Sequence, residues 1–234
     1  MPTIPRDYLR GIAAASPFIL VIAPFALLFG IVGTEAGLNL LEVLTFSVLV
    51  VAGAAQFVAL QQLQDHAPVL IILVMSLAVN LRFLMYSAAM SVHLRDASRW
   101  QRILAAYTLT DQSFALTMAE AETGPRTTRL IPFYFGSATV MVGLWYVGTV
   151  IGALAGSAIP PAFALDFALP ITFIAMLAPL LRTLAHVAAC FVSIAASLLL
   201  AGLPFGTGLL VAALMAMATG AAVETWQSRR GAQA

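Results

Sequence analysis

Lysine is missing from this 234-residue chain, cysteine occurs once, and charged residues fill only 9% of the positions. Each scarcity excludes something. A lone Cys190 inside an apolar stretch can neither close a disulfide within the chain nor build a thiolate metal site, and reads as a small core residue. A formal net charge of +1 without a run of like charges removes what binds nucleic acid or docks a polybasic tail on lipid headgroups. Every basic residue is Arg, a bias that accompanies abundant alanine as a trace of codon composition and carries no chemistry. The pairings that intramembrane enzymes need are missing too. "FGSA" around Ser137 lacks the G-x-S-x-G frame and a base, no H-E-x-x-H occurs, and only Asp111 supplies a carboxylate well inside an apolar block, Asp166 falling at a span boundary. No enzyme, cofactor or metal is expected.

What is present is hydrophobic surface. Hydrophobic residues make up 62% of the chain and the mean hydropathy is +0.99, values that place it among multi-span membrane proteins. Long apolar stretches recur from end to end, so the reading is one transmembrane domain over residues 1–234. "RDYLRGIAAASPFILVIAPFALLFGIVG" resembles a signal sequence, but its apolar run is too long for a cleaved one and no A-x-A site follows, so it is taken as a first span. Apolar blocks fall at 12–33, 43–63, 69–90, 103–119, 130–153, 167–181, 184–201 and 205–225. About 20 residues make a straight helical crossing.

The arginines choose between topologies, because basic residues gather in short cytoplasmic loops. Eight full crossings would put Arg95, Arg99 and Arg102 outside. If the blocks at 43–63 and 103–119 enter and leave on one side, then Arg6, Arg10, the 95–102 group, Arg126, Arg129, Arg182 and Arg229–Arg230 all fall inside. Those two blocks also hold what a lipid-facing helix should not, Gln56 within "AGAAQF" and Asp111–Gln112 within "TLTDQSF", and broken segments at membrane depth are allowed where protein or a wet cavity surrounds them. The expected fold is therefore an all-α polytopic membrane helix bundle, with about six full crossings, two re-entrant or interrupted segments and both termini cytoplasmic; eight crossings is the alternative. Pro17, Pro24, Pro170 and Pro179, with Gly30 and Gly33, punctuate the spans as kinks or as breaks at a site. Gly148, Gly152 and Gly156, four apart, let helix backbones approach closely, within the subunit or against a partner.

Arg82 is the most informative residue. Burying Arg at mid-bilayer costs about 2.5–3.5 kcal/mol on insertion scales, so it needs a partner, a wet cavity or a route to the interface. It lies roughly 20 Å along its block at 1.5 Å per residue. Asp111 is the economical partner, since a lone carboxylate in hydrocarbon would be protonated or paired. Asn80, two residues before Arg82, would point about 200° away on a regular helix, so either the two serve different faces or the helix breaks there. Gln56, among Gly53, Ala54 and Ala55, can donate and accept. His93 at the mouth of the third block and His186 near the start of the seventh are proton-carrying candidates; His66 reads as surface.

"AGAAQFVALQQL", "NLRFLMYSAAMSVHLR" and "TDQSFAL", followed by "DFALPITFIAMLAPLLR", resemble in order and spacing the AzlC-type branched-chain amino acid permeases, over about residues 8–225. The resemblance implies export of branched-chain or similar neutral amino acids across the bacterial cytoplasmic membrane, together with a small multi-span AzlD-type partner subunit. Its motifs carry onto Gly53, Ala54, Ala55 and Gln56, onto Asn80, Leu81 and Arg82, and onto Asp111. Gln112 stands where the family leads one to expect an acidic residue, which puts in doubt any role needing two adjacent carboxylates and shifts it to Asp111.

A carrier of zwitterions needs a cationic group for the carboxylate, an acidic group or carbonyls for the ammonium, and an apolar pocket. In the expected site Arg82 faces the carboxylate, Gln56 and Asn80 add hydrogen bonds with Gln112 beside them, Asp111 faces the ammonium or relays a proton, and Phe57 or Phe114 borders the side-chain pocket. Coupling candidates are Asp111, His93 and His186, with protons as the coupling ion. Uptake instead of export, or a non-transporting assembly subunit, are the competing readings; the second gives little reason to hold Arg82 and Asp111 in hydrocarbon.

Overall fold

The computed structural model describes residues 4–123, 127–156, 181, 183–203 and 207–231. All the regular structure described is helical: α1 (Ile4–Ala15), a 3-10 turn (Ser16–Phe18), α2 (Ile19–Glu35), α3 (Leu40–Leu49), α4 (Gly53–Gln64), α5 (Val69–His93), α6 (Arg99–Tyr107), α7 (Asp111–Glu122), α8 (Thr127–Gly156), then α9 (Leu184–Leu199) and α10 (Thr207–Gly231). Among the described residues, four stretches are long and apolar enough to cross a membrane: Arg6–Glu35, Val69–His93, Arg129–Gly156 and Thr207–Arg229. Leu184–Leu199 is a shorter apolar helix. The expected span at 167–181, with Asp166, Pro170 and Pro179, and the side chains of Arg126, Arg182 and Arg230, lie outside the described residues. Pro17 falls in the 3-10 turn between α1 and α2, and Pro24 sits inside α2 without stopping it.

The chain divides into two compact units, residues 1–60 with 79–163 and residues 61–78 with 164–234. In the second, α9 and α10 form an antiparallel hairpin, with Gly208 against Leu200 and Gly220 facing Ala189.

The first unit is built on α8. Several of its glycines meet another helix's backbone: Gly136 lies against the Tyr8 carbonyl and Gly152 against that of Leu27, while Gly148 faces the Ala26 methyl, Gly156 faces Thr34 and Ile31, and Gly11 and Gly30 return the contact from the other side. The four-residue glycine spacing is thus a packing device within the subunit. Because contacts advance together from Tyr8–Gly136 to Ile31–Gly156, the first span and α8 run parallel. The end with Arg10 and Gly136 is called here the near face, and the end with Glu35 and Gly156 the far face.

Both interrupted blocks are hairpins that return to the face they left. The second is the more direct: Ala97, just before α6, clusters with Ile131 at the base of α8; Tyr107 at the end of α6 reaches up to Tyr146; and Glu120 near the end of α7 comes back to Arg10, 2.7 Å away. The first hairpin begins at the far face, where Val43 packs on Gly33. It doubles back after Val50, since Gln56 hydrogen-bonds Ser47 at 3.3 Å, a separation no straight nine-residue run of helix allows.

Candidate functional site

Local chemistry sets each bend. At the second, Thr110 is extended and caps α7: its Oγ1 accepts the Ser113 amide, and Ser113 Oγ accepts the Thr110 amide. The carbonyl that α6 leaves open at Ala105 accepts a 2.7 Å bond from the Tyr134 hydroxyl, which is fully buried and also touches Thr108. This puts Asp111 at the first position of α7, at mid-depth and at the positive end of that helix dipole.

Arg82 meets it there. Its Nη2 lies 3.2 Å from Asp111 Oδ2, with about a third of each side chain exposed. The pairing is single-pronged, and Arg82 Nε and Asp111 Oδ1 are buried without a hydrogen-bond partner, as is Asn80 Oδ1 two residues before Arg82. The pair thus keeps one donor and one acceptor for something else. Aromatic rings wall the pair. The guanidinium lies 5.2 Å from the Phe83 ring centroid, and Tyr86, one turn after Arg82 and beside the same carboxylate, stacks on Phe114 at 4.2 Å. Helix α5 runs unbroken through Asn80 and Arg82, so the two serve different faces.

Gln56 and Phe57 belong to the other bend. Gln56 is fully buried; its Nε2 donates to Ser47 Oγ at 3.3 Å, and Ser47 Oγ lies 3.4 Å from Thr149 Oγ1. Its Oε1 is buried without a partner, as is Trp145 Nε1. Phe25, Phe29, Phe57 and Trp145 enclose this polar cluster, with ring centroids 4.8–5.8 Å apart. Tyr107 joins the two bends. The Tyr107 hydroxyl, on the last residue of α6, donates to the Val48 carbonyl near the end of α3 (2.7 Å) and lies 2.8 Å from the Tyr146 hydroxyl.

The expected site residues therefore fall into two groups: Arg82, Asp111 and Phe114 with Asn80 nearby, and Gln56 with Phe57. Gln112 is half-buried next to Asp111. His93 ends α5, about 16 Å of helix below Arg82, and His186 is exposed in the first turn of α9, in the other unit. Tyr86, Tyr107, Tyr134, Ser47 and Thr149 are participants that sequence reading missed. Only Tyr86 carried a signal, its four-residue spacing from Arg82.

The chain matches the family described as AzlC protein over residues 17–159, which spans both hairpins and every one of these residues except His186. It belongs to the AzlC family. Among relatives of this AzlC chain, the inner membrane protein YgaZ of Escherichia coli (strain K12) is 30% identical over 185 residues, covering 73% of this chain and 71% of its own. An uncharacterized membrane protein of Archaeoglobus fulgidus is 30% identical over 177 residues, with 74% and 75% covered. One from Helicobacter pylori (strain J99) is 30% identical over 157 residues, with 65% and 67% covered. No solved structure matches.

Proposed function

We propose that this AzlC-family membrane protein is the transport subunit of an exporter for branched-chain or similar neutral amino acids. The observation that carries the reading is the half-made Arg82–Asp111 pair, with Arg82 Nε and Asp111 Oδ1 left unpartnered at membrane depth. A zwitterion has complementary groups for both: its carboxylate replaces Asp111 on the guanidinium, and its ammonium takes the carboxylate so released. Asn80 adds a hydrogen bond, Phe83, Tyr86 and Phe114 supply apolar walls, and Asp111 relays the coupling proton. The near face, which carries Arg10, Arg95, Arg99, Arg102 and Arg129, is the cytoplasmic one by the distribution of arginine. Likeness to an inner membrane protein of Escherichia coli supports residence in the bacterial cytoplasmic membrane. The mostly exposed apolar sides of α5 and α10 leave room for a small AzlD-type subunit as well as lipid.

The test is efflux of preloaded labelled leucine, valine and isoleucine from cells expressing the chain with its partner, wild type beside Arg82→Ala at equal membrane abundance. Faster loss with wild type alone supports the reading; equal loss from wild type and empty-vector cells overturns it.

A further inference from the structure

We propose that the cavity between α5 and α6 is the vestibule through which the zwitterion passes between the near face and the Arg82–Asp111 pair. Its volume is about 150 Å³, and Ser87, Met90, Ser91, Leu94, Arg102 and Leu109 line it. This rests on the transport reading above but concerns the route, not the site.

The cavity lies where such a route must run. At its upper end Ser87 directly follows Tyr86, and Leu109 directly precedes the Thr110 cap of Asp111. At its lower end Leu94 closes α5, and Arg102 binds the connecting loop, with Nε donating to the Ala97 carbonyl at 3.1 Å and Nη2 to that of Arg95 at 2.6 Å. The rings of Tyr86 and Phe114, packed against the wall that Met90, Leu94 and Leu109 give the cavity, separate its upper end from the charged pair.

Its lining suits an amphiphilic solute. Ser87 and Ser91, four residues apart on one side of α5, bring two hydroxyls to the cavity. Met90, Leu94 and Leu109 form the apolar side, in the same cluster that Tyr86 and Phe114 pack against. An engineered cavity of roughly this volume admits benzene, so an aliphatic side chain fits. Guanidiniums stand at both ends, Arg102 at the mouth and Arg82 above, so a carboxylate has a cationic group to meet at each end of the passage. The zwitterion as a whole moves, and no bond is made or broken.

Substituted cysteines test this cleanly, because the chain has one native cysteine. In a Cys190→Ser background, Ser91→Cys and Ala106→Cys, on opposite walls of the cavity, are reacted with a membrane-impermeant maleimide in inside-out vesicles carrying the partner subunit; Met85→Cys, exposed on the side of α5 away from the cavity, is the control. The expected result is labelling of both cavity cysteines but not the control, slowed severalfold by leucine, with the slowing lost when Arg82→Ala is added. Labelling only by a membrane-permeant reagent, which means the cavity faces lipid or another protein, overturns the proposal. So does labelling that leucine, valine and isoleucine leave unchanged. If these negatives appear in variants that still export leucine, the route is wrong and the transport function stands; absence of export from wild type strikes the function itself.

Discussion

The two hairpins have the same outline and opposite chemistry. The α3–α4 bend turns through Val50, Val51 and Ala52 without a polar side chain, and its interior is neutral: Gln56, Ser47 and Thr149 inside four aromatic rings. The α6–α7 bend turns through Thr108, Leu109 and Thr110, is capped by hydroxyls, and ends on a carboxylate opposite a guanidinium. A fully enclosed neutral cluster loses little by being locked in place. A third-exposed ion pair with unpartnered atoms can exchange partners. The comparison teaches that, of the two bends, the charged one is the one whose polar side chains are part-exposed, and there exchange with a ligand is physically possible.

The sharpest way to break this contrast is to remove the charge. Asp111→Ala should abolish efflux, a loss of about tenfold or more if a charge-assisted contact worth 1.5–3 kcal/mol is removed, and should leave Arg82 unpaired. Membrane abundance should then recover in the Asp111→Ala, Arg82→Ala double variant without recovery of transport, as quantitative blotting beside efflux would show. If the single variant exports normally, the second hairpin has no special status.

The first hairpin should answer to volume instead. A side chain at Gly53 would meet Trp145 at 2.7 Å and Phe25 at 2.9 Å, so Gly53→Val should destabilise by about 1–3 kcal/mol. Thermal denaturation of purified protein checks this, and an unchanged midpoint counts against a tightly packed bend. Tyr107→Phe acts on both hairpins at once, leaving the Val48 carbonyl without its donor at a cost of roughly 1–3 kcal/mol. Hydrogen exchange should then rise at both bends; a rise at only one would show that they are not linked through Tyr107. The smallest expected stability effect is that of Gln56→Leu. It removes an atom already without a partner and a 3.3 Å bond, so stability should change by less than about 1 kcal/mol. Strong loss of efflux at unchanged stability would make the neutral cluster functional and erase the contrast.

Much of this was legible in the sequence because misplaced polarity is costly in hydrocarbon. Gln56 and Asp111 marked the two interrupted blocks, the arginines required their ends to share a face, and Arg82 required an acid that only Asp111 supplied. The hydroxyl network was not legible. Tyr107, Tyr134 and Tyr146 are ordinary residues in apolar runs, and their roles exist only because the fold brings Tyr107 to the Val48 carbonyl and lays α8 so that Tyr134 reaches that of Ala105 and Tyr146 meets Tyr107. The glycines of α8 announced close packing, yet spacing alone could not say that α1 and α2 are what they pack against. Block edges shifted outward, from 43–63 to Leu40–Gln64 and from 103–119 to Arg99–Glu122, because capping residues Asn39 and Ser98 start those helices before the hydrophobic run begins.

The parallel contact of the first span with α8 also sets an order of assembly. The surface of α1 and α2 that receives Gly136, Gly148 and Gly152 is synthesised more than 120 residues before those glycines, since they meet Tyr8, Ala26 and Leu27. At about 5–20 residues per second the first span waits on the order of 6–25 s in the bilayer with its contact face unmet. Both hairpins and α5 emerge during that interval and have only one another and the first span to lean on. The bundle therefore closes late, when the ribosome has delivered its fifth membrane-embedded segment, and a chain stalled before Gly136 should be recognised by the membrane's quality control as unassembled.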